Sequence, residues 1–234
     1  MKTPRAPHSL ALSTLAAALV LGGFAQAGTL SFTPLANDAA AVNIKTTNTY
    51  THTVNFNASA AAIINGVSFA PGTQTGANYT LTGAGNAFTN NTQAEIASGG
   101  AGLNALGDTF YYGGPIEVLT LTGLTPGYTY RTGMLVFGWD NSNQIMTVSD
   151  DPSVSHTFDR DGNTGAAATT PVAIEYLFTA PSSGQIVYTI TEATTGNSLH
   201  NYGFYNQLVA VPEPATAGFL AFAAGAFLRR RRAA

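Results

Sequence analysis

The stretch PIEVLTLTGLTPGYTYRTGMLVFGW, Pro115 to Trp139, decides the fold. Its first part, PIEVLTLTGL, sets Val118, Leu119 and Leu121 among threonines, the composition of a strand. Thr125-Pro126-Gly127 then reads as a turn, because proline presets one backbone torsion and glycine takes the one other residues avoid. From Tyr128 to Trp139 the chain alternates at first and is wholly apolar near its end. That is the pattern of a central strand buried on both faces.

The same pattern recurs on both sides of this stretch. In TNTYTHTVNFN, residues 47–57, alternation puts Tyr50, His52, Val54 and Phe56 on one face of a half-buried strand. AAIINGVSFAPG, residues 61–72, carries Asn65-Gly66, a hairpin turn or a bulge. ANYTLTG is a further strand, and QIMTVSD, SVSHTFD, VAIEYLFTA, QIVYTITE and NYGFYNQLVAV complete the set, with Pro181 to Gly184 read as a hairpin link. EIASGGAGLNALGDTFYYGG breaks the rhythm. Its Leu103, Leu106 and Phe110 fit one short helix between glycine-rich flanks. No internal repeat appears. About ten short strands, regularly spaced turns and one short helix predict an all-β fold, an antiparallel β-sandwich of jelly-roll type.

The two ends differ from this middle. Lys2 and Arg5, an uncharged apolar run from Leu10 to Phe24, and Ala25-Gln26-Ala27 have the order of a secretory signal peptide, residues 1–27, with cleavage expected after Ala27. At the other end, residues 211–234 hold Pro212-Glu213-Pro214, an apolar run over 215–228 and four arginines, Arg229 to Arg232. A helix of the apolar run spans only about 21 Å, against a hydrocarbon core of about 30 Å. Arginines flanking it snorkel and stay cytoplasmic. One topology follows: export across the cytoplasmic membrane, a C-terminal membrane helix, and the β domain, residues 28–210, outside in the cell envelope or beyond.

The tripeptide, short apolar helix and terminal arginine cluster resemble the PEP-CTERM sorting signal. That resemblance implies a partner, a membrane-embedded sorting protease of the exosortase type, which reads Pro212, Glu213 and Pro214 and removes the tail. LTGLTPGYTYR and HNYGFYNQLVAV are similar to segments of galactose-binding-like, carbohydrate-module jelly rolls. This second resemblance implies association with extracellular polysaccharide.

Composition excludes several classes. Between residues 28 and 210 stand three bases, Lys45, Arg131 and Arg160, against eleven acids, a net charge of −8. Nucleic-acid binding needs a basic footprint and is not expected. Cysteine is absent, so no disulfide, thiol nucleophile or thiolate metal site exists. There is no G-x-S-x-G elbow, H-E-x-x-H or P-loop. His52, His156 and His200 lie far apart in strand patterns, and neighbours Ser155 and His156 point to opposite faces.

Four sites remain as candidates. Sugar binding needs aromatic faces beside amide or carboxylate groups. Trp139-Asp140-Asn141 has that chemistry, and so do Tyr111 and Tyr112 next to Gly113-Gly114; core filling is the alternative for both. Asp159, Asp161 and Asn163 place oxygens at positions 1, 3 and 5 of an EF-hand-like loop, but the glycine comes one residue late and position 12 is Thr170. This is no EF-hand; calcium in a sandwich loop is the metal reading, and no other cofactor is expected. A glycosidase needs two carboxylates facing across a cleft. Glu117 and Glu175 are the strand carboxylates available, with outward-facing positions as the alternative. The leading expectation is an exported, non-catalytic β-sandwich. Its rivals are a carbohydrate-active hydrolase and a structural matrix protein without a ligand.

Overall fold

A computed structural model describes residues 28–89, 100–136, 143–159, 171–192 and 199–211, without the side chains of 143–144, 151–154 and 158–159. The strands are β1 (Thr29–Pro34), β2 (Thr49–Phe56), β3 (Ala62–Ile64), β4 (Val67–Gly72), β5 (Thr75–Gly76), β6 (Tyr79–Thr82), β7 (Asn86–Phe88) and β8 (Phe110–Tyr112). They continue as β9 (Ile116–Leu121), β10 (Thr129–Val136), β11 (Asn143–Val148), β12 (Asp151–Asp159), β13 (Val172–Thr179), β14 (Ile186–Glu192), β15 (His200–Asn201) and β16 (Gly203–Ala210). Among the described residues one short α-helix, α1 (Ala101–Gly107), lies between β7 and β8, and a single 3-10 turn spans Asp38–Ala40.

The protein is an all-β sandwich. A seven-stranded sheet, β1-β13-β10-β16-β2-β4-β3, packs on a six-stranded sheet, β12-β11-β14-β9-β6-β5, and β15-β8-β7 form a small third sheet. The chain passes repeatedly from one large sheet to the other, as in a jelly roll. The core between them is built from alternate residues: Met134 and Val136 on β10, Ile174, Tyr176 and Phe178 on β13, and Phe204 on β16. Leu119, Leu121, Ile186, Tyr188 and Ile190 meet them from the six-stranded sheet. A polar chain crosses this core. Tyr188 donates to Thr132 (2.8 Å), Thr132 to Asn206 Oδ1 (2.8 Å), and Asn206 to Thr51 (2.7 Å).

The outer face of the seven-stranded sheet is buried too. Residues 35–48, α1 and the sheet's own curled edge hairpin β3–β4 cover it, placing Leu35, Ile44, Ile64, Phe69, Leu103 and Leu106 against Leu135, Ala173 and Tyr205. Burial on both faces accounts for the unbroken apolar run that ends β10.

Five details depart from the sequence reading. Sixteen strands stand among the described residues instead of about ten: residues 61–72 and the last predicted strand each divide in two, and β1, β5, β7 and β8 lie outside the strands expected from the sequence. The sandwich is not wholly antiparallel: β2 and β4 run parallel from Val54 opposite Ala70 to Phe56 opposite Gly72, with β3 as the returning strand on the far side of β4. Pro181 to Gly184 is a turn, closed by Gly184 N–H on Pro181 O at 2.9 Å, but it joins two different sheets and so makes no hairpin. It is braced against the Leu124–Tyr128 crossover through Leu124 N–H to Gly184 O and Ala180 N–H to Tyr128 O. Phe110 belongs to β8, while Leu103 and Leu106 do lie in the helix. Tyr50 does not share a face with His52. Asn206 pairs with His52 and Gln207 with Tyr50, so Thr51 is a bulge that turns Tyr50 onto the outer face beside Tyr205.

Asn65-Gly66 is the two-residue hairpin turn joining Ile64 to Val67, with φ of 49° and 79°, the paired left-handed torsions of that turn type. Among the described residues no helix is long and apolar enough to cross a membrane. Segments 1–27 and 212–234, including Pro212, Glu213, Pro214 and the arginine cluster, lie outside the described residues.

Candidate functional site

An open groove of about 580 Å³ runs where the β2–β4 side of one sheet approaches the β5–β6 hairpin of the other. Its walls include Thr51 to Val54, Asn57, Gly72, Thr73, Thr75, Gly76, Tyr79 and Tyr111. The volume falls within the usual range for small-ligand sites, about 300–1,000 Å³.

Each wall has a local cause. The Thr51 bulge leaves His52 pointing inward, where its ring meets Tyr79 edge-on at 5.8 Å and lies 5.6 Å from Phe204. His52 Nε2 meets Ala77 O at 3.1 Å and Nδ1 meets Thr51 Oγ1 at 3.0 Å. Burial holds its pKa below the ordinary histidine value, partly opposed by the Ala77 bond. Tyr79 donates to Thr73 O at 3.0 Å, and burial pushes its phenol up, helped by Tyr111 nearby. Glycine is required beside that ring: a Cβ on Gly76 would sit 2.1 Å from Tyr79 Cε1, and one on Gly72 2.4 Å from Val54 Cγ1. Tyr111 packs edge-on against Phe56 at 5.9 Å and stays half-buried at the groove.

Tyr111 and Tyr112 therefore separate. Strand alternation sends Tyr111 to the groove and Tyr112 to the other side, against Phe110 (5.5 Å) and His200 (5.5 Å). Trp139, Asp140 and Asn141 lie outside the described residues, as do Asp161 and Asn163; of the calcium loop, the backbone of Asp159 alone is described, at the end of β12. No group of three or more His, Asp or Glu side chains suited to a metal occurs among the described residues.

Glu117 and Glu175 do not face each other, and neither points into solvent. Glu117 alternates with Leu119 and Leu121 toward the inter-sheet core, while Glu175 lies on the outer face with Ala173. The seven-stranded sheet stands between them, so this pair cannot act as facing carboxylates. Glu175 accepts from Asn43 Nδ2 (2.9 and 2.8 Å), from Thr33 (3.1 Å) and from Tyr205. Glu117 has one donor, Asn201 Nδ2 at 2.6 Å, and its Oε1 is buried without a partner. Burial raises its pKa from 4.5 to about 8; Asn201 opposes the shift and Glu192 adds to it. The histidines stay apart, His156 edge-on to Tyr176 at 5.7 Å and His200 stacked on Phe110 at 4.8 Å.

Of the residues singled out in the sequence Tyr111 lines the groove; His52, Thr73, Thr75 and Tyr79 line it as well and were not among the binding candidates. The available signal was GTQTGAN, residues 72–78, a small polar stretch with glycines at both ends of Thr73–Thr75.

No protein-family model matches the chain, and no curated protein does. Solved structures are similar in fold. The ANX2 ectodomain from Arabidopsis thaliana matches 70% of this chain at TM-score 0.52 and 11% identity, and a second structure of the plant receptor-like kinase ANX2 matches 70% at 0.50 and 11%. The chain spans about half the length of these structures, 50% and 49%. The carbohydrate-binding module TmCBM61, in complex with β-1,4-galactotriose, matches 56% of this chain and 88% of its own at TM-score 0.35 and 14% identity, too distant to place a ligand here.

Proposed function

We propose that the protein is an exported, non-catalytic β-sandwich that holds extracellular polysaccharide in the groove between Tyr111 and the β5–β6 hairpin. In this reading residues 1–27 direct export, residues 28–210 form the binding domain, and residues 211–234 hold the chain in the membrane until a sorting protease reads Pro212-Glu213-Pro214. The observation that carries the binding role is the groove itself: two tyrosine rings beside threonine and asparagine side chains, in a volume suited to a few sugar rings. A glycan-array screen of the exported protein and of Tyr111→Ala tests the reading. Loss of the bound glycans in the variant is expected; identical profiles, or no glycan bound by either protein, would refute it. For the tail, Glu213→Ala in a cell with the sorting enzyme should accumulate a membrane-held form that retains Arg229 to Arg232, seen by C-terminal peptide mass.

A further inference from the structure

The hydrogen-bonding capacity of the groove is one-sided. Thr51 donates its hydroxyl hydrogen to Asn206 O (3.2 Å), Thr53 to Ser68 O (2.8 Å) and Thr73 to Thr75 O (2.8 Å). The Tyr79 hydroxyl is spent on Thr73 O, and the Asn57 amide gives one of its two hydrogens to Phe88 O at 2.9 Å. What these side chains still offer a ligand is mostly oxygen lone pairs, with one Asn57 N–H beside them. Among the described residues lining the groove, Thr75 and Tyr111 are the hydroxyls with no recorded acceptor, and no Asp, Glu, Lys or Arg is present. His52 is nine-tenths buried with both ring nitrogens engaged, so it cannot turn to meet an anion.

We propose that the groove selects a neutral glycan and binds it without a metal ion. The inference rests on the groove being the glycan site and adds the class of glycan. A carboxylate or sulfate ester is best held by charged donors, and here it would meet no base, only two hydroxyls and one amide hydrogen among acceptor oxygens. The two bases among the described residues are elsewhere: Arg131 beside Tyr205 on the outer face, and Lys45 in the segment that covers that face. The excess of acids over bases between residues 28 and 210 adds repulsion over about 10 Å at moderate salt. A neutral pyranose meets none of this. Its hydroxyls donate to the threonine and asparagine oxygens, and its C–H face lies on Tyr111, held rigidly by Phe56.

The test is affinity electrophoresis of the exported protein in gels holding laminarin, galactomannan, alginate or dextran sulfate, with and without EDTA, at low and high salt. Retardation by a neutral polysaccharide is expected, unchanged by EDTA or salt. It should weaken about tenfold in Tyr111→Ala, as expected when one stacking ring is lost. Thr75→Arg, on an exposed lip away from the core, should weaken it as well and guards against a folding defect in the first variant. Groove-dependent retardation by alginate or dextran sulfate that fades with salt would overturn the neutral-ligand inference and leave glycan binding standing, as would loss of neutral binding with EDTA. Retardation by none of the four would remove both readings.

Discussion

The two faces of the seven-stranded sheet are buried by different means. The inner face meets another sheet through rings and branched chains, with ladders on both sides fixing each position. The outer face meets an irregular segment, a three-residue strand and its partner, and a two-turn helix. Polar anchors hold this cover. Glu175 ties down Asn43, Asp38 accepts from the N–H groups of Gly102 (2.9 Å) and Leu103 (2.8 Å), and Asn65 donates to Ala41 O (3.1 Å). A segment without a ladder has no register of its own, so each piece needs a directional bond to fix it. On the inner face the reverse holds. There Glu117 is the under-satisfied group, and it weakens the interface when it ionises.

Removing Glu175 should break this comparison most severely. Glu175→Ala leaves the buried Tyr205 and the half-buried Asn43 and Thr33 without their acceptor, at about 1–3 kcal/mol for a buried donor and less for the other two, so a loss on the order of 4 kcal/mol is expected in urea unfolding. Glu175→Gln keeps an acceptor and should recover a large part of it. A loss below about 1 kcal/mol for the alanine variant would mean that apolar contact alone holds the cover.

Glu117 gives the next effect, and it depends on pH. Its folded pKa of about 8 lies above 4.5, so between those values the folded state keeps a proton that the unfolded state has released. Stability is therefore highest below pH 4.5 and falls as pH rises to about 8, by on the order of 4 kcal/mol from this group. Glu117→Gln should remove that slope. An unchanged slope in the variant would place the alkaline loss elsewhere.

Asp38→Ala should cost about 1–2 kcal/mol, the range for losing a helix cap, and should raise hydrogen exchange at Gly102 and Leu103. Unchanged exchange there would show that α1 is held by Leu103 and Leu106 alone. The smallest effect belongs to His52. Burial lowers its folded pKa, so the neutral ring favours folding above 6.5, and this contribution is lost as pH falls below that value. His52→Phe should lack that acid-side loss.

Local features were legible in the sequence. The alternation of β2 from His52 to Phe56, the turn at Asn65-Gly66 and the helical spacing of Leu103 and Leu106 depend on neighbours a few residues apart. The Thr51 bulge was not legible, because the extra residue is defined against β16, about 155 positions away. Nor was the role of Glu175, whose donors lie 142, 132 and 30 residues distant. The crossover at Pro181 to Gly184 has the residues of any tight turn; which sheet the next strand joins is decided by packing, not by the turn. The groove follows the same rule, since His52, Thr75, Tyr79 and Tyr111 come from four strands that only the sandwich brings together.

Ligand contact in this groove would leave a local signature in the amides around it. Amide chemical-shift mapping of the exported protein, titrated with soluble oligosaccharides from the neutral polysaccharide it retains, tests it most directly. Shifts concentrated at residues 51–54, 72–77 and at Tyr111 are expected. Shifts confined to residues 137–142 and 160–170 would contradict it and move binding to Trp139, Asp140 and Asn141.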